Sequence, residues 1–128
     1  MSDDKASDQL LEAGFPRQLR LLTSKDFKKV FSDPVKIVCP PFTLLACPNH
    51  LSHARLGLIV AKKNVRFAVS RNRLKRLARE SFRLHQQQLP SYDLVLLARR
   101  GSSDMPNEVL FEHLDKLWSR AKKKCQVC

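Results

Sequence analysis

Nine basic residues crowd into positions 62–83: Lys62, Lys63, Arg66, Arg71, Arg73, Lys75, Arg76, Arg79 and Arg83. Glu80 is the lone acid among them. Ammonium and guanidinium groups at this density bind phosphate. Arginine presents a planar fork of donors that holds two phosphate oxygens at once. Each phosphate neutralised releases condensed counterions, so such binding weakens steeply with salt. Asn72 sits inside the cluster. Its amide both donates and accepts, which suits a base edge or a ribose 2′-hydroxyl. The 128-residue chain carries 24 Lys+Arg against 12 Asp+Glu, a formal net charge of +12. Most of that excess lies in this one stretch, which points to a polyanionic partner. The bland alternative is a solvated basic face on an ordinary domain.

The other reactive side chains form no comparable constellation. Cys125 and Cys128 have the spacing of half a zinc site. Cys39 and Cys47 lie in an apolar, strand-like stretch and do not supply the other half. His50, His53, His85 and His113 complete no finger spacing, so no metal site is expected and the thiols are read as reduced. A protein-only nuclease would need histidine acid–base chemistry. None of the four has a partner at a recognisable spacing, and no residue is assigned as catalytic. Three glycines in the chain argue against a glycine-rich nucleotide loop, and no small-molecule substrate is expected.

Secondary structure must position the cluster. Residues 1–14 are acidic and read as a disordered leader. Residues 15–124 read as a single domain and 125–128 as a tail. Thr23 caps a short helix with Asp26 three residues on, and Phe27, Val30 and Phe31 follow at i, i+3, i+4. Asp33-Pro34 ends that helix. Val35–Val38 and Phe42–Cys47 read as strands broken by Pro40-Pro41, and Arg55–Ala61 as a third. A long helix is expected from about Ser70, its N-cap, to Gln88. Tyr92–Ala98 is a continuous apolar run, the pattern of a strand covered on both faces. Pro106-Asn107-Glu108 opens a last helix with an apolar stripe of Val109, Leu110, His113, Leu114, Leu117, Trp118 and Ala121. The order αβββαβα predicts an α+β fold, an α/β sandwich with the long helix as crossover. No segment has 18 consecutive apolar residues, so no membrane span is expected. The acidic start lacks a secretory signal, and the chain is read as cytoplasmic.

A helical projection sorts the long helix. Advancing about 100° per residue from Arg71 places Arg71, Asn72, Lys75, Arg76, Arg79 and Arg83 on one arc. Leu74, Leu77, Ala78, Ser81, Leu84 and His85 fall on the other, with Phe82 on the border. Arg73 and Glu80 lie between the arcs, and Glu80 is placed to pair with Arg76. A DNA recognition helix would need a short helix and a tight turn before it, whereas a strand and two lysines precede this one. A membrane-surface helix would compete with the sheet for the apolar face. A ribosomal or chaperone-like RNA-binding module remains open on these residues alone.

The stretch Val65-x-x-Ala68-x-x-Arg71-Asn72-Arg73-Leu74-Lys75-Arg76-Leu77-Ala78-Arg79 resembles the signature of the protein subunit of bacterial ribonuclease P. The resemblance runs from Phe15 to about Lys124. It includes Phe15-Pro16-Arg17 with Arg20-Leu21-Leu22, the helix of Phe27 and Phe31, the Gly57–Lys63 strand and the Asp93–Arg100 strand. It implies a four-stranded mixed sheet like the second domain of ribosomal protein S5, with a left-handed βαβ crossover. It implies a catalytic RNA partner that performs Mg²⁺-dependent hydrolysis, and a precursor tRNA substrate whose 5′ leader is removed. By position, the set implied to contact the RNA subunit is Lys62, Lys63, Arg66, Arg71, Asn72, Arg73, Lys75, Arg76 and Arg79. The set implied to contact the leader is Phe27, Phe31 and Lys28, with Arg17 and Arg20 nearby. Some members place an aromatic on the first long strand, where this chain offers Leu44 and Leu45 with Phe42 the nearest ring.

Overall fold

A computed structural model describes residue 20 and residues 24–126. The acidic leader, Arg17, the Thr23 cap and Cys128 lie outside the described residues. Along the chain run α1 (Ser24–Ser32), β1 (Val35–Cys39), β2 (Phe42–Pro48), β3 (Arg55–Ile59) and α2 (Ala68–His85), then β4 (Tyr92–Ala98) and α3 (Asn107–Gln126). Short 3-10 turns at Gln86–Gln88 and Ser102–Asp104 flank β4.

Pro34 stops α1, because the residue before a proline is pushed out of the helical region. Pro40 and Pro41, joined by a cis peptide, occupy the turn between β1 and β2. β1 and β2 pair antiparallel, with Val35 opposite Ala46 and Cys39 opposite Phe42. β2 pairs antiparallel with β4, from Phe42–Ala98 to Pro48–Tyr92. β3 runs parallel to β4, with Arg55 opposite Asp93 and Ile59 opposite Leu97. The sheet order is β1-β2-β4-β3, so α2 crosses between two adjacent parallel strands. The free edge of β1 is met by α3, where Arg120 donates to the Val38 carbonyl at 2.7 Å and Lys124 to that of Lys36 at 3.1 Å.

The two-residue strand period sorts side chains into two cores. Leu94, Leu96 and Ala98 join the larger core with Leu74, Ala78 and Phe82 of α2 and Leu110, Leu114 and Trp118 of α3. Val95 and Leu97 point the other way, to Leu45 of β2 and Val30 and Phe27 of α1. Coverage on both faces explains why β4, Tyr92–Ala98, is apolar at every position but one. Phe82 meets Trp118 edge-on, with centroids 5.7 Å apart. The Trp118 indole N–H donates to the buried Ser81 hydroxyl at 2.8 Å.

Asp93 interrupts that run and is only 3% exposed. Its carboxylate accepts from Arg55 Nε at 2.8 Å and Nη2 at 2.7 Å, and from Asn49 Nδ2 at 3.0 Å. Arg55 Nη2 also lies 3.6 Å from Asp26 of α1. One arginine thereby ties β3, β4 and the first turn of α1 together. Hydrogen bonding to Asp93 is the main cause that raises the Arg55 pKa above the ordinary arginine value.

Four expectations need correction. β3 ends at Ile59, not Ala61. The Ala61 carbonyl accepts from the N–H groups of Asn64 and Val65 instead, at 3.0 and 2.9 Å, which turns the chain out of the sheet. α2 starts at Ala68, and Phe67, not Ser70, holds the N-cap position. The Phe67 carbonyl takes the first helical bond, from the Arg71 N–H at 3.0 Å. Leu84 is exposed at 60%, whereas border residue Phe82 is fully buried. The buried stripe of α2 runs through Leu74, Ala78, Ser81 and Phe82, so it is centred to one side of the apolar arc. Glu80 pairs with Arg83, not Arg76.

Candidate nucleic-acid interface

The loop into α2 is braced before any cation is displayed. Val65 is buried at 1%, and Asn64 Nδ2 donates to the Ala98 carbonyl at 3.3 Å. Arg71 folds back, its Nη1 donating to the carbonyls of Val65 at 3.1 Å and Arg66 at 2.9 Å. Lys62, Lys63 and Arg66 are exposed on this fixed loop. Along α2, the basic residues divide into three sectors. Arg76 and Arg83 are exposed on the outer face, Arg83 in its pair with Glu80. Arg73 turns to the flank beside α3 and donates to the Ser103 carbonyl at 3.4 Å and to that of Met105. Lys75 and Arg79 are half-buried on the opposite flank, and Asn72 is half-buried between cations.

Lys75 and Arg79 line a cleft of about 190 Å³ with Arg20, Phe27 and the β3 residues Leu56, Gly57 and Leu58. Arg20 reaches it because its backbone bridges Leu56 in the parallel sense, outside the four-stranded sheet. The cleft thus joins residues from both implied sets: Arg20 and Phe27 with Lys75 and Arg79. Phe31 and Lys28 are not among its lining residues. Phe31 is 45% exposed and Lys28 is exposed, because Val30 takes the buried position of α1. Phe42 is buried in the larger core. Leu45 and Cys47 line the smaller core beside Phe27, so β2 gives that side no ring.

This lining is chemically suited to anions and flat rings. It holds three cations and one phenyl ring, with no histidine or carboxylate to move a proton. The histidines lie elsewhere. His85 Nδ1 is 2.8 Å from the Ser81 carbonyl and its Nε2 is 3.5 Å from Asp115, while His113 Nδ1 is 3.8 Å from Cys39 Sγ. Among the described residues no three His, Cys, Asp or Glu side chains gather as a metal site. The acids nearest α1 and β3, Asp26 and Asp93, are held by Arg55. The described residues therefore do not fit a protein-held Mg²⁺. No helix among them is long and apolar enough to cross a membrane.

The projection missed the Arg55–Asp93 pair. Its signal was present: single charges in otherwise apolar strands must be paired when buried.

The family described as Ribonuclease P matches residues 15–122. The chain is 52% identical to the ribonuclease P protein component of Photorhabdus laumondii over 111 residues, 87% of this chain and 93% of that one. The component of Escherichia coli is 51% identical over the same shares. Among solved structures, the Staphylococcus aureus RNase P protein superposes with a TM-score of 0.76 at 30% identity, over 81% of this chain and 95% of that one. The Thermotoga maritima RNase P protein gives 0.71 at 30% identity, over 79% and 96%. With the basic helix, the mixed sheet and these likenesses in agreement, the chain belongs to the ribonuclease P protein family, the protein subunit of the endoribonuclease that processes the 5′ end of tRNA.

Proposed function

We propose that the two basic surfaces divide the work of the holoenzyme. Lys62, Lys63, Arg66, Arg76 and Asn72 hold the RNase P RNA. Arg71 contributes mainly by fixing the loop that carries Lys62, Lys63 and Arg66, and Arg73 by fixing the turn after β4. The cleft takes the single-stranded 5′ leader of precursor tRNA, with Lys75, Arg79 and Arg20 on its phosphates and Phe27 against a base. Phe31 and Lys28 serve the leader where it leaves the cleft, and Arg17 is assigned to the leader by its position in the sequence. Every base has a π-face, so stacking tolerates leaders of varied sequence. The RNA subunit holds the Mg²⁺ and carries the hydrolysis, and the complex works in the cytoplasm. The observation that carries this reading is the convergence of three cations and one half-buried ring from separate elements on one cleft that lacks any acid–base group.

Reconstitution tests it. The protein is mixed with a bacterial RNase P RNA at low Mg²⁺, and 5′ cleavage of a precursor tRNA is followed. Strong cleavage is expected only with both components present. Phe27→Ala is expected to weaken precursor tRNA binding more than mature tRNA binding, because only the precursor has a leader. Equal loss for both would remove the leader role from the cleft.

A further inference from the structure

The side chain at the N-cap of α2 is a phenylalanine, and it points to solvent. Phe67 is 65% exposed and Val69, two residues along, is 81% exposed. A hydroxyl or carboxylate at this position would bond a free N–H of the first turn, whereas Phe67 makes no side-chain cap bond. The ring is also held in place. Val65, two residues earlier, is buried in the larger core. The Phe67 carbonyl accepts from the Arg71 N–H, and the Arg71 guanidinium bonds the carbonyls of Val65 and Arg66. A flexible loop could fold a stray phenyl ring back onto the protein; this backbone is braced on both sides of it.

The surroundings say what the ring faces. Arg66 stands over it, with Cζ 5.5 Å from the centroid, and Lys62, Lys63 and Arg76 are exposed on the same loop and helix. Charge complementarity selects a polyanion, and an exposed ring beside the cations selects a polyanion that carries flat rings of its own. We infer that Phe67 is a stacking platform for an unpaired base of the RNase P RNA, with Arg66 against the ring and on the adjacent phosphate. Stacking and cation–π contact then act on one nucleotide. The inference rests on the assignment of this surface to the RNA subunit, and it makes one part of that surface independent of salt.

The test uses the full-length protein and a full-length RNase P RNA, with affinity measured across a salt series. Phe67→Ala and Phe67→Leu are expected to weaken binding by about ten-fold or more. The slope of log affinity against log salt is expected to stay unchanged, since no phosphate contact is lost. Phe67→Trp is expected to retain affinity and to lose fluorescence when RNA binds. The native Trp118 is 2% exposed and engaged with Ser81, so the new indole reports alone. Exposure of Phe67 predicts unchanged thermal midpoints for all three variants. Tight binding by the unsubstituted protein with no loss in Phe67→Ala overturns the stacking role alone. Failure of the unsubstituted protein to bind overturns the RNA-subunit assignment and this inference with it. Anionic phospholipid vesicles are the control: loss of vesicle binding without loss of RNA binding in Phe67→Ala would make the ring a membrane contact and overturn the inference.

Discussion

At the residue scale, Arg55 and Asp93 matter most to the shape of the cleft. The pair is bidentate, Asp93 is buried, and Arg55 reaches on to Asp26 at the start of α1. Removing one partner leaves a buried charge unmet. Asp93→Asn is therefore expected to cost about 3–5 kcal/mol, measured by urea unfolding. A loss below about 1 kcal/mol would mean that water or Asp26 replaces the contact. The raised Arg55 pKa sets the sign of its pH effect. Its stabilisation is fully present below the ordinary arginine value and fades only as pH rises through the higher folded-state value. Arg55 itself therefore contributes no stability slope across the neutral range.

At the element scale, α2 is the organising unit, and its rotation decides which basic residues face the cleft and which face outward. The buried stripe through Leu74, Ala78, Ser81 and Phe82 sends Lys75 and Arg79 to the cleft, Arg76 outward and Arg73 toward the turn after β4. Two substitutions check that rotation. Phe82→Ala removes a ring packed on Trp118 and is expected to cost about 3–5 kcal/mol. Leu84→Gln, at a site 60% exposed, is expected to stay within about 0.5 kcal/mol. The reverse ranking in thermal or chemical denaturation would put the helix in another orientation. The apolar arc alone ranks the two the other way, because it counts Leu84 as core and Phe82 as border.

At the scale of the whole molecule, charge is distributed by the fold. A net +12 chain is drawn to any polyanion, and salt dependence separates direct phosphate contacts from structural arginines. Arg76→Ala is expected to lower the salt slope of RNase P RNA binding by about one unit, with stability unchanged. Arg71→Ala is expected to lower stability as well, because its guanidinium braces the carbonyls of Val65 and Arg66. A clean slope change with no stability loss in Arg71→Ala would show that the bracing bonds do not persist in solution.

Much of this protein is legible in the chain because local rules dominate there. Pro34 and Pro41 bound their elements by fixed backbone geometry, a continuous apolar run marked β4, and the 3.6-residue period marked α2 and α3. The strongly basic character of residues 62–83 follows from residue type and density alone. The tertiary structure decided what depends on neighbours far along the chain. It paired Arg55 with Asp93, strands that a whole crossover helix separates in sequence. It set the rotation of α2 through the contacts of Ser81 and Phe82 with Trp118 of α3, which no helical projection contains. It brought Arg20 and Phe27 beside Lys75 and Arg79, and it left Phe67 outside both cores. Periodicity reports which faces are apolar; only the packing of the elements against one another fixes which of those faces is covered.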